Sequence, residues 1–261
     1  MKLFLRLSFL GTEYCGYQVQ DNAPSVQQLL NEAAEKIFGF PCDIVGCSRT
    51  DSGVHAEDFT VSIAKKNTAG LETSIPIEKI PIAMNCFLPK DISIYKAMWV
   101  SESFHARYDV KYKEYVYRIW NGKTRNPFFA DRMFYLPNSV DDMAVMRANE
   151  AAKAFVGTHD FCSFMASGSK VADTIRTVYD AFIVKDGEVL SFYVSANGFL
   201  YNMVRIMAGT LIDVLLGKKS SCEIKEIIEK CDRRYAGSTV PACGLYLHKV
   251  SYENYQEGDR G

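Results

Sequence analysis

Ser25-Val26-Gln27-Gln28-Leu29-Leu30-Asn31-Glu32-Ala33-Ala34-Glu35-Lys36-Ile37-Phe38-Gly39 is the clearest helix in the chain, and what flanks it sets the fold class. Val26, Leu29, Leu30, Ala33, Ala34, Ile37 and Phe38 recur at helical spacing, Ser25 and Gln28 make a capping box, and Gly39 stops the run. Upstream, Leu3, Leu5, Leu7 and Phe9 alternate with Lys2, Phe4, Arg6 and Ser8, which predicts a strand. Arg6 interrupts the apolar run and no small-residue cleavage site follows, so a signal peptide is not expected. After the loop 11–22 and the helix, strands are predicted at Asp43–Ser48 and Phe59–Ala64. A short helix is expected within the Pro-broken stretch Ile75–Pro89, and a further strand at Ile92–Trp99. The order β-α-β-β-α-β is that of a ferredoxin-like half.

The rest of the chain has the same mixed character. A Tyr-rich strand is predicted at Lys111–Trp120, a helix at Asp141–Phe155, and a long loop from Gly157 to Thr174. Strands at Ile175–Val184 and Glu188–Ala196 flank Asp186-Gly187, a hairpin signal. A helix from Leu200 to Leu216 ends at Gly217, Ser220 and Glu223 cap another, and Leu245–Val250 closes as a strand. The fold class read from this order is α+β, in two ferredoxin-like (RRM-like) halves with antiparallel sheets. The boundary is set so that residues 1–105 form one half and 106–261 the other.

A chain of 261 residues with 48% apolar and 23% charged side chains is an ordinary globular composition, and it excludes disorder, collagen and coiled coil. Phe199–Leu216 carries Arg205 and Asp213 and is too short and too charged to span a membrane. The net charge of −1 gives no global basic field, so a polyanion must bind at a local patch. None of the eight cysteines forms a C-x-x-C pair and no His stands at ligand spacing from a Cys pair. No metal site is therefore expected; the cysteines read as small buried hydrophobes in a reducing cytoplasm. Motifs of serine hydrolases, P-loop NTPases and dinucleotide enzymes are absent from the sequence.

Three features carry possible chemistry. Gly46-Cys47-Ser48-Arg49-Thr50-Asp51-Ser52-Gly53-Val54-His55-Ala56 is the densest polar cluster outside a helix. It reads either as a plain tight turn with solvated Arg49 and Asp51, or as a carboxylate held beside a cation, fit to act as nucleophile or base. Ser103–Tyr135 holds seven basic side chains (Arg107, Lys111, Lys113, Arg118, Lys123, Arg125, Arg132) against three acidic ones, and ten aromatics. Cations interleaved with rings suit nucleic acid, and they equally suit a half-buried strand with a charged outer face. Arg205 lies among Met203, Val204, Ile206 and Met207, sharing a helix face with Asn202. It either snorkels to the surface or pairs with a buried carboxylate, Asp51 being a candidate. Gly198 and Gly209 would let backbone pack closely there.

In order, Tyr14-Cys15-Gly16-Tyr17-Gln18-Val19-Gln20, Arg49-Thr50-Asp51-Ser52-Gly53-Val54-His55-Ala56, Phe104-His105-Ala106-Arg107, Lys113-Glu114-Tyr115-Val116-Tyr117, Gly198-Phe199-Leu200-Tyr201-Asn202-Met203-Val204-Arg205 and Pro241-Ala242-Cys243-Gly244-Leu245-Tyr246-Leu247 resemble the TruA family of tRNA pseudouridine synthases. Ser52 and Tyr17 depart from the residues common there, Ala and Trp. The resemblance implies two α+β halves joined around a central catalytic cleft. It implies isomerisation of uridine to pseudouridine at positions 38, 39 and 40 of the tRNA anticodon stem-loop. Asp51 would be the nucleophile, attacking C6 of uracil or C1′ of ribose of a flipped-out nucleotide. Tyr115 would pack on the base, and Arg205 would pair with Asp51 and hold it ionised. Arg49 would help flip the nucleotide, and Leu245 would wall the pocket. Val54, His55, Arg107, Tyr117 and Asn202 complete the expected substrate-binding set. The family needs no cofactor and no metal, works in the cytoplasm as a homodimer, and has tRNA as partner and no membrane. The rival class is a non-catalytic RNA-binding protein or RNA chaperone on the same fold, which would lack Asp51, Tyr115 or Arg205.

Overall fold

A computed structural model describes residues 1–21, 23–168 and 171–253. Asn22, Ser169 and Lys170, which fall in two of the expected loops, lie outside the described residues. The architecture is mixed α+β, with ten strands and five α-helices among the described residues. The chain divides into two compact units, residues 1–111 with those from 247 onward, and residues 112–246.

The first unit contains β1 (Lys2–Phe9), α1 (Val26–Phe38), β2 (Cys42–Gly46), β3 (His55–Lys65), α2 (Ile80–Asn85) and β4 (Ile92–Val100), the predicted order. β1 runs between β3 and β4, antiparallel to both, and β2 pairs antiparallel with β3. Along α1, Ser25 Oγ accepts the Gln28 N–H at 3.3 Å and Gly39 ends the helix in the left-handed region. Only half the predicted capping box forms, because the Gln28 side chain turns to Glu32 instead, at 3.0 Å. The apolar face of Val26, Leu30, Ala33 and Ala34 is buried. β1 differs from its alternating sequence, since Arg6 is as buried as its apolar neighbours. Its guanidinium meets Asp58 at 2.6 Å, and Asp58 also accepts from the Tyr95 hydroxyl (2.6 Å) and the Val250 N–H (3.1 Å). A charge is tolerated there because it is paired and its partner is saturated.

That Val250 belongs to β10 (Leu245–Tyr252), which borders β3. The strand starts in the second unit and, from Leu247, belongs to the first. Tyr252 is wedged between Phe4 and Phe104, with ring centroids at 5.6 and 5.3 Å, and its hydroxyl donates to Ala106 O at 2.6 Å and meets Thr60 Oγ1.

The second unit holds β5 (Val110–Trp120, from Tyr112), β6 (Phe134–Tyr135), α3 (Asp142–Lys153), β7 (Gly157–Asp160), β8 (Ile175–Asp186), β9 (Val189–Ala196), α4 (Met203–Leu215) and α5 (Glu223–Lys230). The sheet order is β5-β9-β8-β7, antiparallel at each step, with β6 parallel to β5. Phe155, Phe161, Phe164 and Phe192 form its aromatic core. The stretch 157–174 is not a plain loop. It contains β7 and a 3-10 turn at Cys162–Phe164. β7 has no apolar alternation to betray it, and is a strand because it pairs with the edge of β8. The hairpin turns one residue later than predicted: Asp186 pairs with Val189, leaving Gly187-Glu188 as the turn. The cysteines also correct the sequence expectation. Only Cys47 is buried; Cys86, Cys222 and Cys231 are exposed and the other four are half-buried. Among the described residues no helix is long and apolar enough to cross a membrane.

Candidate active site

In the first unit, two of the quoted motifs are one construction. The turn 51–54 closes through Val54 N–H on Asp51 O at 3.2 Å. The loop 11–17 lies against it. Tyr17 N–H donates to Thr50 O (3.2 Å), Gly53 N–H to Tyr14 O (3.3 Å) and Ser52 Oγ to Tyr14 O (3.2 Å). Gly16, at φ 89°, is required twice over: its backbone is left-handed, and a Cβ would overlap the Thr50 carbonyl. Tyr14 is anchored in turn by Asp91 at 2.6 Å. Asp51 is half-buried on this braced turn, and Arg49 stands exposed two residues before it. A carboxylate whose backbone is fixed on both sides loses little freedom when it reacts.

Val54 and His55, expected to touch substrate, are 2% and 0% exposed. His55 Nδ1 accepts the Gly11 N–H at 2.9 Å, so the imidazole ties the start of β3 to the bracing loop. Arg107 is exposed, its guanidinium 6.0 Å from the Tyr108 ring, and His105 stacks on that ring at 4.2 Å. Tyr108 is 76% exposed.

In the second unit, Tyr115 and Tyr117 are buried on β5. The Tyr115 ring meets Phe199 edge-on at 5.0 Å. Tyr117 is fully enclosed and its hydroxyl donates to Pro241 O at 2.9 Å. Burial pushes that hydroxyl far above the ordinary tyrosine range, so it stays a neutral donor. It supports the segment leading to Leu245, which is itself buried at the head of β10.

Arg205 is half-buried on α4. Its Nε donates to Val240 O at 2.8 Å and its Nη1 to Asn202 Oδ1 at 2.7 Å. Asn202 sits just before α4 at φ 58°, a conformation Asn tolerates better than most residues. The Val240 carbonyl is delivered by a strap, residues 237–240, laid across the helix. At Gly209 a Cβ would overlap the Ser238 carbonyl, and Gly237 N–H donates to Thr210 Oγ1 at 2.9 Å. Gly209 thus gives the close approach read from sequence, whereas Gly198 meets only the Arg176 side chain at ordinary distance. Sequence reasoning missed the strap; Gly237, in a stretch without periodicity, was its only signal.

The basic and aromatic stretch 103–135 divides between core and surface. Tyr115 and Tyr117 are core, while Tyr108, Phe128, Lys123, Arg125 and Arg132 are exposed. A pocket of about 580 Å³ in the second unit is lined by Trp120, Arg125, Phe129, Met133, Tyr135 and Cys243 among others; none of the expected site residues lines it.

A family profile described as tRNA pseudouridine synthase matches residues 151–253. The tRNA pseudouridine synthase A of Thermoanaerobacter sp. is 45% identical over 244 residues, 93% of this chain and 96% of the relative. Those of Clostridium acetobutylicum and Anoxybacillus flavithermus are 44% and 41% identical over 248 and 249 residues, each alignment spanning 95% of this chain and 98% and 97% of the relative. Identity at this level over nearly the full length of each partner means that the chain belongs to the tRNA pseudouridine synthase A family, and is a pseudouridine synthase.

Proposed function

We propose that this enzyme converts uridine to pseudouridine at positions 38, 39 and 40 of the tRNA anticodon stem-loop, with Asp51 as nucleophile. The observation that carries the reading is the braced turn: a carboxylate on a backbone fixed by Tyr14, Gly16 and Tyr17. Asp51 forms an adduct with the flipped-out nucleotide, the glycosidic bond breaks, the uracil rotates, C5 bonds to C1′, and loss of the C5 proton and cleavage of the Asp51 bond release pseudouridine and the free carboxylate. Tyr115 packs on the base. Arg205, oriented by Val240 and Asn202, supplies the positive charge that keeps Asp51 ionised. Arg49 enters the space the nucleotide vacates. Arg107, beside the exposed Tyr108 ring, contacts the RNA backbone, and Leu245 limits the pocket. Val54, His55 and Tyr117 serve from beneath, as supports of the turn and of the segment 241–245.

The halves are proposed to be ferredoxin-like, on the strength of the β-α-β-β-α-β order and the placing of β1 between β3 and β4. The first carries Asp51 and the second Tyr115 and Arg205. A cytoplasmic homodimer is the proposed working form, in which two copies of the 103–135 stretch offset the lack of net positive charge.

Tritium release from C5-labelled uridine in unmodified tRNA tests the reaction, with wild type and Asp51→Asn side by side. Release by the wild type alone is expected, with tRNA affinity of the variant within a few-fold. Release by Asp51→Asn at the wild-type rate would remove Asp51 from the chemistry, and mapping the modified uridines tests the positions.

A further inference from the structure

Asp160, Cys162 and Cys231 meet on the second unit, and none of them is among the candidate site residues named above. One ligand atom from each, a carboxylate oxygen and two sulfurs, all lie within 4.8 Å of one another. Cys162 is half-buried, while Asp160 and Cys231 are open to solvent, so an ion has a path in.

The three are held by rigid surroundings. Asp160 ends β7, and its Oδ1 accepts the Cys162 N–H at 3.0 Å and the Thr174 hydroxyl at 2.6 Å. That fixes the carboxylate with its other oxygen uncommitted by either bond. Cys231 caps α5 in a left-handed conformation, φ 48°. Ser163, buried between the two elements, clamps them: its hydroxyl donates to Ile227 O at 2.6 Å and accepts the Asp232 N–H at 2.8 Å. The residues following Cys162 and Cys231 are therefore bolted together, and the thiols cannot drift apart without breaking a buried hydrogen-bond bridge.

We infer that Asp160, Cys162 and Cys231 form a binding site for a zinc-class divalent cation, with water as the fourth ligand. The chemistry of the donors selects the ion. Thiolate pairs take zinc and its soft congeners, whereas calcium and magnesium require oxygen throughout. Tetrahedral zinc with sulfur at about 2.3 Å sets its two sulfurs roughly 3.8 Å apart, so the groups need close in by no more than about an ångström, within side-chain rotation. Bound there, the ion joins the end of α5 to the end of β7 and reinforces the Ser163 bridge. It needs no part in the isomerisation.

The test titrates the EDTA-treated, phosphine-reduced full chain with cadmium, reading the ultraviolet thiolate-to-metal band, and with zinc, reading thermal stability. Wild type is expected to bind one equivalent with the band of two thiolates, and zinc to raise the melting temperature as mass action requires. Cys162→Ser and Cys231→Ser should each weaken cadmium by at least about tenfold, Asp160→Asn should weaken it too, and Cys86→Ser, exposed elsewhere, should change nothing. Cys231→Ser alters an exposed side chain and keeps the test decisive should Cys162→Ser fold poorly. Absence of saturable one-equivalent binding, or binding that Cys231→Ser leaves intact, overturns the site. So does a reduced protein that ignores metal yet closes a Cys162–Cys231 disulfide in air.

Discussion

Arg205 and Asn202 are joined at 2.7 Å, one helical turn apart, and the asparagine that receives the guanidinium is itself left-handed. The two properties separate by mutation. Both Asn202→Ala and Asn202→Gly remove a charge-assisted hydrogen bond worth about 1.5–3 kcal/mol, but alanine keeps a Cβ at positive φ without the local polar contacts that let asparagine tolerate it, a penalty of about 1–2 kcal/mol that glycine avoids. Both variants should lose catalytic rate alike, while urea unfolding finds the glycine variant more stable by roughly 1 kcal/mol. Equal stability would show that the backbone there is not under strain.

Gly209→Ala sets two known effects against each other. Alanine gains about 1 kcal/mol of helix propensity, and its methyl overlaps the Ser238 carbonyl, an overpacking of about 1–3 kcal/mol. The overlap should win, because backbone cannot rotate away. The strap must then lift, taking the Val240 carbonyl from Arg205. Lower stability in chemical denaturation together with a fall in turnover is expected; a stabilised, active variant would mean that the strap does not position Arg205.

Burial, then Cys231, then Asp160 push the Cys162 thiol up to about 12. The thiolate is the reactive form, so in EDTA at about pH 8 Cys162 should alkylate at least about tenfold more slowly in the native protein than in urea. The sign for stability follows. The fold disfavours the charged form, so Cys162 contributes stability at neutral pH that is lost as pH rises through and beyond the ordinary thiol range. Peptide mass mapping after timed alkylation reads the rate directly.

Affinity for tRNA should fall steeply with salt, since the basic side chains of 103–135 are proposed to act on phosphates while the whole chain carries −1. Arg107→Ala should weaken binding of all tRNAs similarly and reduce the slope of log affinity against log salt by about 1. Filter binding across a salt series measures it; a flat response would exclude this stretch from the interface.

Most elements were legible because periodicity and capping speak locally. α1 announces itself through Ser25, the apolar spacing and Gly39, and β5 through its run of tyrosines. What failed was long-range. β7 has no pattern of its own and exists only because β8 offers an edge. Arg6 looked like the polar face of an alternating strand, and is buried because Asp58 lies on the neighbouring strand. Among the candidate residues, Asp51 and Arg205 stood out as charges in unusual company, yet nothing in the order of residues said that Tyr14–Tyr17 would brace the Asp51 turn. Cys162 and Cys231, distant in sequence and in no ligand spacing, gave no sign of meeting.

The crossing of β10 from one unit to the other bears on the birth of the chain at the ribosome. The first unit awaits Val250 to satisfy Asp58 and Tyr252 to fill the space between Phe4 and Phe104. Those residues emerge only after all of 112–246 has been translated, a delay of roughly 7 to 27 s at about 5–20 residues per second. During that interval β3 has β1 and β2 beside it but not β10, and the Arg6–Asp58 pair lacks part of its cover. The first half to be made is thus the last to be finished, whereas the second unit is contiguous in sequence.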